Sequence, residues 1–198
     1  MSDVAELKRI MRRTLRTQLA ALAADRWVSG GSRACKRALD LAAVAQARHV
    51  MLSWPMLKEP ELLTLAASLA ARGVVLAVPR CGAGSEMDAA VMDIGPPDGA
   101  RFREAFQGSG TLRETPASWP ALAVSRLDVV VVPGLGFDHS GQRLGRGAGF
   151  YDRFLARPEL RAFKVGIALD EQLVDKVPME SHDVPLDAVV TDSAVFPA

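Results

Sequence analysis

The sequence predicts an α/β fold of three layers, with a mostly parallel sheet between helices. Two observations carry that expectation. Apolar runs of strand length near 49–54, 74–78, 128–132, 164–169 and 187–191 alternate with stretches of helical periodicity. The run Asp128-Val-Val-Val-Val-Pro133 is β-branched, bounded by a charge and a proline, and apolar at every inner position, which is the pattern of a strand covered on both faces. With 198 residues, 49% of them hydrophobic, the chain is long enough for one sizeable core, so 1–198 is expected to form a single domain.

The elements follow in order. Leu7, Met11, Leu15 and Leu19 recur every fourth residue, with Ile10 and Leu22 near the same stripe, and predict an amphipathic helix over about 4–24. On the adjoining face Lys8, Arg12 and Arg16 keep the same spacing beside Arg9 and Arg13, a pattern that by itself is usually a solvated face. A second helix over about 32–47 leads into the strand at 49–54, which Pro55 closes. Pro60 stands at the mouth of a third helix, 61–71, ended by Gly73, and the strand at 74–78 stops before Pro79. From 81 to 120 Gly, Pro and Ser break the pattern, and 89–94 is a candidate edge strand. After the run at 128–132 come a glycine-rich loop, a helix over about 149–156 and two further strands. In such sheets ligands sit beyond the carboxyl ends of the strands, which directs attention to the loops after Trp54, Val78, Val132 and Leu169.

Composition narrows the function. Lys and Arg number 24 against 23 Asp and Glu, a formal net charge of +1, so bulk charge gives no support for capture of nucleic acid or an acidic membrane. No aromatic ribonucleoprotein pattern accompanies the basic helix, and no apolar run approaches the roughly 20 residues that span a bilayer. Cys35 and Cys81 form no C-x-x-C pair, which argues against a disulfide framework or zinc ribbon and suits a reducing cytoplasm. His49, His139 and His182 show no metal-ligand spacing.

The loop at 133–153 holds six of the 16 glycines. Between a buried strand and a helix, such a loop lets backbone N–H groups close on an anion, and it reads as a phosphate cradle. Gly136 to Gly141 has P-loop spacing but continues as Gln142-Arg143, without the Lys-Ser/Thr that grips phosphates and magnesium. Gly134-x-Gly136-x-x-His139 and Gly145-x-Gly147-x-x-Phe150 each lack the third glycine of a dinucleotide fingerprint. What remains is Arg143 and Arg146 for phosphate charge and Asp152 as a hard oxygen ligand for magnesium. Lys8 and Arg12 are expected to fold over the same phosphates. Asp138 reads as a turn residue bonded to its own loop.

The run Pro133-Gly-Leu-Gly-Phe-Asp138, followed by Gly141-x-Arg143-Leu-Gly-Arg-Gly-x-Gly-Phe-Tyr-Asp152, closely resembles the signature of the 5-formyltetrahydrofolate cyclo-ligase (methenyltetrahydrofolate synthetase) family. Lys8-x-x-x-Arg12 looks like that family's N-terminal nucleotide contact, Glu61-Leu-Leu-Thr64 like its Glu-x-x-Thr folate contact, and His182-Asp183-x-x-x-Asp187-x-Val-Val-Thr191 like its C-terminal block. The resemblance implies a Rossmann-like fold of the NagB/RpiA/CoA-transferase-like kind. It implies ATP- and magnesium-dependent cyclisation of 5-formyltetrahydrofolate, with or without a polyglutamate tail, to 5,10-methenyltetrahydrofolate; composition adds the expectation of no nucleic-acid or membrane partner and a cytoplasmic location. By the same resemblance ATP is expected on Lys8, Arg9, Arg12, Arg143, Gly145, Arg146, Gly147, Gly149, Tyr151 and Asp152, with Lys8 and Arg146 as exposed contacts that act in catalysis. Folate is expected on Glu61, Trp54, Met56, Phe106 and Phe150, and Mg2+ on Asp152 and Asp183. Leu63 and Phe150 depart from the pattern, standing where many relatives carry an acidic residue and a tyrosine.

Overall fold

A computed structural model of the chain describes residues 3–82, 86–106 and 114–198. In chain order the elements are α1 (Asp3–Ala20), α2 (Ala24–Leu39), α3 (Ala42–Gln46), β1 (His49–Met51), α4 (Leu63–Ala71), β2 (Val75–Cys81), β3 (Met87–Val91) and α5 (Ala100–Ala105). They continue with β4 (Ala121–Leu122), β5 (Val129–Val131), β6 (Gly136–Phe137), β7 (Arg143–Leu144), α6 (Phe150–Leu155), β8 (Phe163–Ile167), β9 (Ala188–Val190) and β10 (Val195–Pro197). Among the described residues the main sheet runs β10-β9-β8-β5-β1-β2-β3-β4. Its inner strands β9, β8, β5, β1 and β2 pair in parallel, and β10, β3 and β4 join antiparallel at the edges. This is the expected α/β architecture.

The apolar run at 128–132 explains itself in three dimensions. Val129 and Val131 point into one core with Val50, Leu52, Leu76 and Val78, roofed by Ala34 and Ala38 of α2 and Leu65 and Leu69 of α4. Val130 and Val132 point into the opposite core with Met51, Ala77, Phe137 and, from α6, Phe154 and Leu155. Alternating side chains bury on both faces, so no position in the strand tolerates a polar residue. A third cluster, Leu15, Leu19, Trp27, Leu144, Leu169 and Val177, fastens α1 across the loops at one end of the sheet.

Several boundaries differ from the sequence expectation. The helix expected over 32–47 is two helices, and α2 begins eight residues earlier, running through Gly30-Gly31. Glycines discourage a helix, yet a Cβ on Gly31 would come within 2.5 Å of the Glu61 backbone nitrogen, so close approach of the 60–61 segment requires the glycine there. Within 81–120 the candidate edge strand is β3, while α5 carried no periodic signal; residues 83–85 and 107–113 of that stretch lie outside the described residues. The terminal edge strand β10 includes Pro197, a residue that edges accept. The loop expected at 133–153 contains the ribbon β6–β7. No described helix is long and apolar enough to cross a membrane.

Candidate active site

From β1 the chain crosses to β2 on one side, whereas from β5 it crosses to β8 and β9 on the other, and β1 and β5 are neighbours. Loops leaving their carboxyl ends diverge and open a crevice. A cleft of about 480 Å³ lies there, walled by Ser53 and Trp54 after β1, Pro79 and Cys81 of β2, Pro133 after β5, the loop from Arg143 to Asp152, Lys8 and Arg12 of α1, and Glu180 to Asp183 before β9.

The Lys and Arg residues of the lining come from α1 and from the stretch 143–146. Lys8 is not an exposed contact as expected: it is 4% exposed, with Nζ 3.0 Å from Glu180 Oε2 and 2.5 Å from Asp183 Oδ2. Burial alone would raise the Asp183 carboxyl, but the Glu180 N–H and the Lys8 ammonium outweigh it and hold Asp183 below the usual range. Arg12 Nε donates to the Gly145 carbonyl at 2.9 Å and Arg16 Nη2 to the Arg146 carbonyl at 3.1 Å, so the basic stripe of α1 positions the glycine loop. Gly147 and Gly149, with φ of +110° and +71°, occupy the left-handed region that turns the chain into α6. Arg143 is buried, donating to the Pro133 carbonyl and to the Asp152 carboxylate.

Two donors in this wall remain unused. The Arg143 Nε and the Tyr151 hydroxyl are buried without a hydrogen-bond partner. Burial, followed by the nearby Glu59 carboxylate, pushes the Tyr151 phenol far up, so it is a protonated donor at neutral pH. Buried donors left unpaired cost about 1–3 kcal/mol each; both residues line the cleft, while these two atoms are shielded from solvent. Trp54, Met56, Met87 and Phe150 add apolar surface to the lining.

Three expected site residues lie elsewhere. Arg9 is one residue round the helix from Lys8, points outward and pairs with Glu6. Phe106 is fully buried against Phe102 and Trp54, with centroids 5.2 and 6.3 Å away, and supports the wall from behind. Glu61 accepts the Cys35 thiol on its carbonyl at 3.3 Å, and burial raises its carboxyl, which does not face the cleft. Of the two nearby acids Glu59 and Glu61, Glu59 is the one that lines the cleft. Its Oε1 accepts Nε and Nη2 of Arg146 at 2.9 and 2.6 Å, and its Oε2 accepts the Met56 N–H at 3.0 Å. Spacing in an irregular segment does not reveal which of two nearby acids turns inward. Glu180 carries no sequence signal of its own, and Gln172 closes the run Ala168-Leu-Asp-Glu-Gln172, which resembles part of the family's C-terminal block; buried Gln172 props the loop by donating to the Gly134 carbonyl at 3.0 Å while accepting the Leu169 N–H at 2.9 Å. Asp138 accepts the Ser140, Gln142 and Val177 N–H groups.

The sequence profile of the 5-formyltetrahydrofolate cyclo-ligase family matches residues 4–192. The chain belongs to this family. Cyclo-ligase relatives include 5-formyltetrahydrofolate cyclo-ligases of Mycolicibacterium smegmatis, 47% identical over 81 residues, and Escherichia coli, 53% identical over 76 residues. These alignments cover 40% and 38% of this chain and span 42% of each relative's length. Across the whole fold, the methenyltetrahydrofolate synthetase of Aquifex aeolicus superimposes with a TM-score of 0.77 at 24% identity, covering 96% of this chain and 92% of that one. The Mycoplasma pneumoniae 5,10-methenyltetrahydrofolate synthetase gives 0.73 at 19% identity, covering 93% and 98%. At these identities the structures attest to the fold.

Proposed function

We propose that this chain catalyses the ATP-driven, magnesium-dependent cyclisation of 5-formyltetrahydrofolate to 5,10-methenyltetrahydrofolate, releasing ADP and phosphate. The supporting observation is one cleft lined by two chemistries: basic side chains and glycines suited to a triphosphate, and Trp54, Met56 and Phe150 with the Glu59 carboxylate, suited to a pterin. Lys8, Arg12, Arg143 and Arg146 neutralise phosphate oxygens, joined by loop N–H groups from Gly145 to Gly149 and by the Tyr151 hydroxyl. Trp54, Met56 and Phe150 hold the pterin, and Glu59 accepts its N–H donors.

In the first step the formyl oxygen attacks the γ-phosphorus; the O–P bond forms as the bond to the β,γ-bridging oxygen breaks, giving ADP. N10 then attacks the activated formyl carbon and loses its proton, and the C–O bond breaks to release phosphate carrying the former formyl oxygen. The protein's tasks are to align that oxygen with phosphorus, to spread the charge of the transferring group over Lys8 and Arg146, and to exclude water. No group of three metal-ligating side chains occurs among the described residues. Magnesium needs only one or two carboxylates when phosphates and water complete its shell, and Asp152 and Asp183 offer two at the cleft. Bound there with nucleotide, the ion would supply further charge neutralisation at the phosphates. The two free cysteines fit a reducing cytoplasm.

The test follows the absorbance of methenyltetrahydrofolate after mixing the purified chain with 5-formyltetrahydrofolate, with ATP and magnesium present or singly omitted. Product only in the complete mixture is the expected result. No product, or product without ATP, overturns the assignment.

A further inference from the structure

We propose that the ion pair between Glu59 and Arg146 makes binding of nucleotide and folate mutually dependent, each ligand taking one partner of the pair and releasing the other for the second ligand. This rests on the roles given above to Arg146 and Glu59.

The two residues come from different walls. Glu59 lies between β1 and α4, in the segment that carries Trp54 and Met56, and Arg146 lies in the glycine loop between β7 and α6. Both guanidinium bonds, from Nε and from Nη2, converge on Glu59 Oε1, which therefore has both lone pairs occupied, while Oε2 already holds the Met56 N–H. A pterin that offers N–H donors meets a carboxylate whose capacity is largely taken, and must displace the guanidinium. Conversely, Nε and Nη2 form the edge with which an arginine grips a phosphate through two parallel bonds, so a nucleotide must draw Arg146 away from Glu59 to use it.

Burial makes the exchange cooperative. The Glu59 side chain is 8% exposed and that of Arg146 is 36% exposed. If nucleotide alone removes Arg146, a carboxylate with little access to water loses its countercharge, a state that the folate N–H groups relieve. If folate alone takes Glu59, Arg146 is left pointing at an empty phosphate position. The second ligand therefore finds the pair already broken. Only the Arg146 side chain has to move, because Arg16 holds its backbone carbonyl at 3.1 Å. Among the described residues, the other Lys and Arg pairs with carboxylates in the cleft lack this geometry: Lys8 with Glu180 and Asp183, and Arg143 with Asp152, do not join a proposed phosphate contact to the proposed pterin carboxylate.

Thermodynamic linkage requires the two effects to be equal. With Arg146 part-exposed, we expect each ligand to tighten the other by about 5–10-fold, the lower part of the usual range of coupling between sites. The experiment is calorimetric titration of the full chain with the β,γ-imido analogue of ATP plus magnesium, and with 5-formyltetrahydrofolate, each alone and each in the presence of saturating amounts of the other. The wild-type chain should show the same tightening factor in both directions. Glu59→Gln should bind the nucleotide analogue alone about 5–10-fold more tightly than wild type, and its coupling factor should fall to about one. Arg146→Gln, whose nucleotide affinity drops, should likewise show a factor of about one, and thermal unfolding establishes that each variant is folded. Wild-type chain that binds both ligands with no mutual effect overturns the coupling and leaves the proposed function standing. So does a Glu59→Gln variant that binds nucleotide more tightly but keeps the wild-type factor, since removal of one negative charge would explain that result. Failure of wild type to bind either ligand removes the proposed function and the coupling with it.

Discussion

Two regions of the molecule are built from the same materials, arginine and carboxylate, and have different consequences. Behind the cleft Arg26 of α2 makes paired bonds to Glu171, at 2.7 and 2.5 Å, and to Asp192, at 3.0 and 3.1 Å. Arg33 adds a further bond to Asp192 at 3.0 Å, and the Asp170 N–H another at 3.0 Å. This clasp ties α2 to the loops after β8 and β9, and its carboxylates are met from several sides. In the cleft the pairs are interrupted: the Arg143 Nε and the Tyr151 hydroxyl lack partners, and the chain around them bends through glycines with positive φ. Carboxylates met from several sides serve stability, whereas unpartnered donors on residues that line a cavity are candidates for ligand binding.

The sharpest way to break this comparison is to truncate one arginine in each region. Arg146→Ala should lower kcat/KM for ATP by roughly 10- to 150-fold, the loss of a charge-assisted contact worth about 1.5–3 kcal/mol. Arg26→Ala should leave ATP kinetics unchanged while lowering the thermal midpoint. Steady-state kinetics and thermal unfolding of both variants check this, and a reversal of the two patterns would undo the division. On the cleft side, Asp152→Asn should raise the magnesium needed for half-maximal rate by at least roughly tenfold, since an amide is a poorer ligand for a hard dication. Asp138→Asn supplies the contrast: its carboxylate accepts backbone N–H groups within the loop, so the variant should lose stability with an unaltered magnesium requirement.

The clasp makes its own prediction about pH. Burial would raise Asp192, but hydrogen bonds from Arg26 and Arg33 bring it down to about 2 from an ordinary 3.8. Because the folded-state value is the lower one, this stabilisation is complete above the unfolded value and is lost as pH falls through the folded one. It amounts to about 2 kcal/mol at neutral pH. Asp192→Asn should therefore lower the thermal midpoint by about 4–8 °C at pH 7. In denaturant unfolding the gap between wild type and variant should hold from neutral pH to about pH 5 and shrink towards pH 2. A gap that widens with acid would contradict the assignment.

Legibility in the sequence followed the strength of the physical constraint. A strand buried on both faces has to be continuously apolar, and 128–132 announced itself. A glycine-dense turn with interleaved arginines is restricted chemistry, and Arg143, Arg146 and Asp152 do share one cleft with Lys8 and Arg12. The amphipathic pattern of α1 suggested a solvated basic face, whereas Lys8 turns inward because Glu180 and Asp183 approach from a segment 172 and 175 residues away. No local pattern reports such a contact. Likewise Phe106 looks the same in sequence whether it lines a cavity or backs the residue that does.

The smallest expected effect separates two acids two residues apart. If spacing alone had located the folate carboxylate, Glu61→Gln should damage folate use; the structure instead puts Glu59 at the cleft and leaves Glu61 half-buried beside α2. Burial raises the Glu61 carboxyl above its ordinary 4.5 in the folded state. Ionising it therefore costs stability: the cost is absent below the unfolded value, grows as pH rises from there and is complete above the folded one. Glu61→Gln, neutral at every pH, should be slightly more stable than wild type at pH 7, with the advantage shrinking as pH falls through the folded value and gone below about 4.5. Folate KM and kcat should be unaltered, whereas Glu59→Gln should raise folate KM. Folate kinetics of both variants, with thermal midpoints at pH 7 and pH 4, decide the matter. A rise in folate KM confined to Glu61→Gln would return the pterin contact to Glu61, and with it would fall the coupling assigned to Glu59 and Arg146.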